Sequence, residues 1–295
     1  WFGRFALARS AAERMRALAS FRPRMAKPVI GLERGLTDPI TELNMGQTAE
    51  KIGHLFGITR PAADAYALES HQRLAKAQRS GALKGEVIPA VDRDGTVYEH
   101  DDGVRPDSSM ERLAKLKPAF ERPHGRVTAG NSSQITDGAS WVILASAAAV
   151  RKHKLTPLAR LVDSEWSALD PSIMGLGPTL CATALMRRQN LARADIDLWE
   201  LNEAFAAQVL ACLAAWEDEE YCREALGLDG AFGRIERNRL NVDGGAISLG
   251  HPVGTSGNRI VLHLVNAMRQ RGLKRGIATE CIGGGLGGAM LLEAV

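Results

Sequence analysis

Apolar residues recur at helical spacing twice in the first part of the chain, over 46–57 and over 60–80. The second run carries a full set of boundary signals: Thr59 as N-cap, Pro61 in the first turn and Gly81 just past the end. Over 86–104 the pattern turns β-like, with Asp94-Gly95 as a hairpin turn. A polar stretch from Arg105 to Pro123 then leads to Val127. Residues 1–136 therefore predict an irregular α+β unit.

After about Asp137 the pattern changes. An apolar run from Trp141 to Ala149 leads into basic residues, and 158–162 predicts a strand. A helix over 178–189, a strand over 198–201 and a helix over 203–216 follow. A charged insertion from Glu217 to Arg239 separates them from a helix over 253–270. The chain closes with a strand over 276–281, a glycine-rich turn and a strand over 289–295. Alternation at these lengths predicts a layered α/β domain with a central sheet over 137–295.

The first 31 residues hold seven basic side chains, from Arg4 to Lys27, against one acid, Glu13. Phe5, Ala8, Ala12, Met15 and Ala19 lie at helical spacing, with arginines on the other faces. Three readings stay open: a surface helix packed on the protein, a helix that meets a membrane surface or acidic partner, and a transit peptide.

Composition narrows the function classes. The 295 residues are 45% hydrophobic and 24% charged, as in ordinary globular proteins. A net charge of +3 gives no argument for nucleic acid. No apolar run approaches the roughly eighteen residues of a transmembrane helix. The four cysteines (Cys181, Cys212, Cys222 and Cys281) have no CxxC spacing, which predicts no metal site and a reduced, intracellular setting.

Three segments carry candidate chemistry. Asn202 stands where a strand gives way to a helix, so it predicts either an N-cap or an amide that holds a water or carbonyl oxygen at a helix start. His251 lies in a run containing Gly244, Gly245, Gly250, Gly254 and Gly257, a loop where backbone bends sharply or approaches closely. A following helix start would disfavour its imidazolium and keep it neutral. Cys281 ends a predicted strand, where α/β folds place their sites, and is followed by Gly283, Gly284 and Gly285. It reads as a buried core residue or as an acid–base thiol with a partner such as His251, the glycine N–H groups facing a developing oxyanion. Gly283, Gly285 and Gly288 also satisfy a dinucleotide fingerprint, but the residues after them predict a strand where that fingerprint needs a helix.

Taken together, Asn202-Glu203-Ala204-Phe205, the Gly250 to Gly257 segment and Cys281-Ile282-Gly283-Gly284-Gly285 resemble, in order and spacing, the carboxy-terminal motifs of the thiolases. Met45-Gly46-Gln47-Thr48-Ala49-Glu50 and the Thr128 to Ser133 segment resemble the family's loop-domain motifs. The resemblance implies a five-layered fold of two similar α/β halves plus a loop domain. It implies Cys281 as the acid–base cysteine, His251 as the residue that activates the nucleophile and polarises the thioester, and Asn202 as the anchor of an oxyanion-site water. The N–H of Gly283 would be half of a second oxyanion site. Met45, Ala129, Gly130, Ser133, Met174 and Phe205 match positions lining the pantetheine channel. The implied reaction is acyl transfer between a 3-ketoacyl-CoA and CoA, or the reverse condensation, with no cofactor beyond coenzyme A as substrate. A homodimer or homotetramer, a β-oxidation partner subunit and a cytoplasmic or mitochondrial-matrix location go with it. Ketoacyl synthases, the related condensing enzymes, pair their cysteine with two histidines; here Cys281 takes the second of those places.

Two departures qualify the resemblance. None of Cys181, Cys212 and Cys222 has the Cys-x-Ser-Gly-like context of the family's acyl-carrying nucleophile, so the residues predict a loop domain over 1–136 and a second half over 137–295, the amino-terminal α/β half being absent. A non-catalytic scaffold, or half of a split enzyme, is the alternative that follows. Asn44 precedes Met45 where many relatives have His. The 217–239 insertion resembles that of degradative thiolases.

Overall fold

The computed structural model describes residues 2–26 and 29–295; Lys27 of the basic run lies outside them. Two short helices, α1 (Phe2–Ala6) and α2 (Ala11–Ala19), replace the single basic helix expected. The break has a local cause. Ser10 accepts the N–H of Glu13 while the Glu13 carboxylate accepts the N–H of Ser10, a capping box that starts a new helix. Among the described residues Ala8 and Ala17 are buried and Met15 is 65% exposed, so only part of the expected apolar stripe packs.

The helices α3 (Gly31–Gly35), α4 (Met45–Leu55) and α5 (Arg60–Ser80) follow. Thr59 caps α5 by accepting the N–H of Ala62, and Gly81 closes it in the left-handed region at φ 73°. The expected hairpin forms between β1 (Ala90–Val91) and β2 (Val97–Tyr98), where Asp92 accepts the N–H groups of Asp94 and Thr96. A short helix α6 (Met110–Ala114) completes this region.

The remaining elements are α7 (Ala147–His153), β3 (Ala159–Ala168), α8 (Gly177–Arg188), β4 (Leu198–Leu201), α9 (Ala206–Glu217), α10 (Glu219–Glu224), α11 (Ala246–Leu249), α12 (Ser256–Arg271), β5 (Arg275–Ile282) and β6 (Leu286–Ala294). Four strands make one mixed sheet in the order β3-β6-β5-β4, with only the β4–β5 pair parallel. Alternation along the strands separates two cores. Trp199, Ile277 and Leu291 face α8 and α9 on one side, while Leu198, Ala278 and Leu292 face Ile260, Leu264 and Met268 of α12 on the other. Helices on both faces of a sheet give the layered α/β arrangement expected.

Two element boundaries shift for visible reasons. β3 runs on to Ala168 because it pairs along the whole of β6. β6 begins at Leu286, inside the glycine-rich stretch. There Gly287 lies against Gly177 at the start of α8, and a Cβ on Gly287 would stand 2.5 Å from the Gly177 backbone. The charged 217–239 segment is not a loose insertion: Cys222, Leu226 and Ile235 enter the main core, and Phe232 stacks on Trp216. The run from Trp141 to Leu144 has no regular secondary structure and is exposed, with Ile143 at 90%. It borders an apolar cavity of about 1520 Å³ between β3 and α12.

Candidate active site

β4 is buried along its whole length, and the N–H of Asn202 extends its pairing by donating to the Thr279 carbonyl of β5. The cap reading of Asn202 does not hold: Phe205, still extended at φ −145° and ψ 142°, is the residue that begins α9. The Asn202 side chain instead turns toward His251, with its Nδ2 3.5 Å from His251 Nε2. Its Oδ1 is buried and accepts no hydrogen bond from another described residue. A buried amide oxygen without a donor is costly, so this acceptor is free for a polar ligand or a water.

His251 is fixed from two sides. Its N–H donates to the Gln134 carbonyl, and its Nδ1 lies 2.6 Å from Ser256 Oγ. Ser256 Oγ donates to the Pro252 carbonyl, so it accepts from a protonated Nδ1. That leaves the lone pair of Nε2 facing Asn202. Burial, helped by the charge of Arg259, pushes the His251 pKa down to about 4. The ring is neutral, as expected, but for a different reason: α12 begins only at Ser256, so burial and not a helix end disfavours the imidazolium. Gly250, at φ 107°, supplies the sharp bend before the ring.

Cys281 occupies the penultimate position of β5 and is 8% exposed. Its thiol packs with Met174 and Ala204, and with the partly buried Met45 and Phe205. Burial first, then the negative charge of Glu280, pushes its pKa up to about 12. The thiol is therefore protonated at neutral pH. Among the described residues no hydrogen bond joins Cys281 to His251; Cys281 clusters with Ala204, two residues beyond Asn202. The turn after Cys281 places Gly284 and Gly285 at φ 86° and 81°. The N–H of Gly283 donates to no other described backbone carbonyl, and a Cβ there would lie 3.9 Å from Met45 Sδ.

The structure thus gathers Cys281, Met45, Met174, Phe205 and the Gly283 turn, with Asn202 and His251 paired beside them. Ser133 joins this group through its N–H, which donates to the Ala204 carbonyl. Ala129 is exposed, and Gly130 lies against Leu113 and Leu116 on and just beyond α6. Asn44 caps α4: it accepts the N–H of Gln47, whose side chain accepts the N–H of Asn44. The expected sequence departure at that position is a helix cap. The sequence reading missed Ser256, the ring partner of His251, and Glu203. Cys181, Cys212 and Cys222 are all fully buried, and burial raises the pKa of each.

Among the described residues no helix is long and apolar enough to cross a membrane, and no group of three or more His, Cys, Asp or Glu side chains is placed to hold a metal ion.

Comparison with known proteins bears on the whole chain. The family model "Thiolase, N-terminal domain" matches residues 9–148, and "Thiolase, C-terminal domain" matches residues 155–294. The expectation that the amino-terminal domain is absent is therefore corrected. A missing cysteine context is a local feature and does not measure a domain. The chain is 41% identical over 287 residues to a 3-ketoacyl-CoA thiolase of Erwinia tasmaniensis, covering 97% of this chain and 65% of that protein. It is 41% identical over 262 residues to the mitochondrial 3-ketoacyl-CoA thiolase of Rattus norvegicus, covering 88% of this chain and 62% of the relative. The crystal structure of human mitochondrial 3-ketoacyl-CoA thiolase superposes with a TM-score of 0.81 at 39% identity, covering 94% of this chain and 67% of that one. The chain spans about two thirds of the length of the relatives it matches, and it belongs to the thiolase family.

Proposed function

We propose that these residues form the acid–base part of a thiolase site, acting in acyl transfer between a 3-ketoacyl-CoA and CoA or in the reverse condensation. The observation that carries the reading is the buried Cys281 thiol clustered with Ala204, while Asn202, two residues earlier in the chain, faces His251. In the cleavage direction the acyl-carrying cysteine bonds to C3 of the 3-ketoacyl chain, the bond between C2 and C3 breaks, and its electron pair leaves with acetyl-CoA as an enolate. The Cys281 thiol gives its proton to that carbon, and a thiolate remains to be reprotonated. In condensation the Cys281 thiol first gives its proton to the CoA thiolate that leaves when the acyl group is transferred, and the resulting thiolate takes the proton from acetyl-CoA. A free donor at Gly283 N–H and a ligand held between Asn202 and His251 supply the hydrogen bonds an enolate oxygen needs, a contribution of several kcal/mol to the barrier in such sites. Met45, Met174 and Phe205 make the apolar wall on which a thioester arm would lie.

None of Cys181, Cys212 and Cys222 stands in the Cys-x-Ser-Gly-like context of the family's acyl-carrying cysteine, and all three are buried in the core. In this reading that cysteine lies outside these residues. The proton-transfer half is testable without it. Exchange of the methyl hydrogens of acetyl-CoA in heavy water, followed by proton NMR, is expected with the wild-type chain and is lost in Cys281→Ser. Equal exchange rates in wild type and variant overturn the assignment. No exchange in either favours the scaffold reading.

A further inference from the structure

Helix α5 presents Tyr66, Ser70 and Arg73 at successive positions of one face, a polar stripe on a helix that is buried there. Its partners explain the stripe. Arg73 donates to the carbonyls of Leu240, Asn241 and Arg237, at 2.5, 3.0 and 2.8 Å, and so ties α5 to the segment leading into the glycine-rich loop. Ser70 Oγ accepts the N–H of Gly245 at 3.3 Å and lies 3.0 Å from Ser248 Oγ. Beneath this stripe sits the carboxylate of Glu203, which is 1% exposed.

Both of its oxygens are used. Oε1 accepts from Tyr66 Oη at 2.9 Å and from Asn241 Nδ2 at 3.1 Å. Oε2 accepts from Ser70 Oγ at 2.6 Å and from the N–H of Ile247 at 3.3 Å. A carboxylate buried this deeply is tolerable only when hydrogen bonds saturate it, and four donors do so. The donors come from three places: α5, the Asn241 turn and α11. Asn241 in turn accepts the N–H of Leu201 and donates to the Leu201 carbonyl, holding the peptide directly before Asn202. Ile247 lies in α11, whose end at Gly250 carries His251. Gly245 leaves the needed space, since a Cβ there would stand 2.5 Å from the Glu203 carboxyl carbon.

We infer that Glu203 is a positioning residue: it locks the end of β4 to α11 against the brace of α5, and thereby sets the approach of Asn202 to His251. The inference rests on the acid–base reading of that pair given above. Glutamine cannot replace the carboxylate. Its NH2 group would face either the Ile247 N–H or Asn241 Nδ2. Neither can turn into an acceptor, because Asn241 is held by both its bonds to Leu201.

The test compares the wild-type chain with Glu203→Gln and Tyr66→Phe. First, NMR of the His251 ring in the ligand-free protein reads the position of the ring with no substrate. Glu203→Gln is expected to move its resonances and to let the ring titrate closer to the ordinary histidine range. Second, acetyl-CoA hydrogen exchange is expected to lose on the order of 100-fold in its maximal rate, as misplacement near 1 Å does, with KM held near the wild-type value. Tyr66→Phe, which removes one donor, is expected to give smaller changes of the same kind, and it decides the matter alone where Glu203→Gln does not fold. Unchanged His251 resonances in a folded variant overturn the inference. A wild-type chain without exchange activity would remove the acid–base reading, while the NMR comparison still decides the positioning role.

Discussion

At the scale of single residues, the site is a set of groups held in their uncharged forms. Burial acts on His251 and Cys281 in opposite directions on the pKa scale, down to about 4 for the imidazole and up to about 12 for the thiol, and with the same result. A site that moves a proton between carbon and sulfur needs one acid ready to give it and neighbours that do not compete for it. The prediction is direct. The His251 ring is expected to show one neutral tautomer, with the proton on Nδ1 toward Ser256, from pH 8 down to pH 5, readable from its nitrogen shifts. An imidazolium signal growing in near pH 6.5 would contradict both the burial argument and the tautomer. Much of this was legible in the sequence, because the glycine-rich flanks announce a bent backbone around His251 and Cys281 sits at a strand end. The Ser256 contact was not. It depends on the turn at Pro252 closing back over five residues, and residue type alone does not encode that. The Glu203 hub was hidden for a stronger reason: its donors Tyr66, Ser70, Asn241 and Ile247 meet only in the folded molecule.

At the scale of elements, the sequence located helices and strands better than their ends. α5 has the predicted bounds because Thr59, Pro61 and Gly81 are local signals that act within one turn. β6 begins earlier than the sequence predicts, because Gly287 and Gly288 read as a turn whereas tertiary contact puts them in the strand. There the absence of a side chain is what lets α8 approach the sheet: Gly287 and Gly177 touch backbone to backbone. Gly287→Ala tests this. A methyl group 2.5 Å from the Gly177 backbone has no flexible neighbour to displace, so α8 must move off the sheet. Destabilisation of about 3 kcal/mol is expected, at the upper end of overpacking costs, read from the midpoint of urea unfolding. Gly284→Ala, in open space but at φ 86°, is expected to cost about 1 kcal/mol through backbone conformation alone. Equal effects at the two positions would mean that the α8 contact does not constrain the sheet.

At the scale of the whole molecule, His263 is the group whose charge joins the most distant parts of the chain. It projects from α12 to within 2.8 Å of Glu86, from the segment after α5; 3.5 Å of Asp243, before the glycine-rich loop; and 3.8 Å of Glu200 in β4. Burial alone would drive its pKa down, but the charge of Glu200 and the contacts with Asp243 and Glu86 outweigh burial and lift it to about 10. The folded state therefore keeps a proton that the unfolded chain gives up near pH 6.5. The stability this supplies is fully present below pH 6.5 and is lost as the pH rises toward 10. His71 and His251 act with the opposite sign. Both are pushed down to about 4, His71 by burial and then by Arg105, so the unfolded chain binds protons there first and stability is lost as the pH falls from 6.5 toward 4. Glu200 and Glu280, pushed up to about 7 by burial, oppose His71 and His251 below pH 6.5, so the urea midpoint is expected to fall clearly only on the alkaline side. The alkaline limb belongs to His263 and is assigned independently by its ring, which should remain an imidazolium at pH 8 in an NMR titration. A His263 ring that loses its proton near pH 6.5, or a midpoint that holds steady from pH 7 to pH 10, would show that Glu86, Glu200 and Asp243 do not act together on it. In that case α12, β4 and the loop region would be joined by packing rather than by this buried charge.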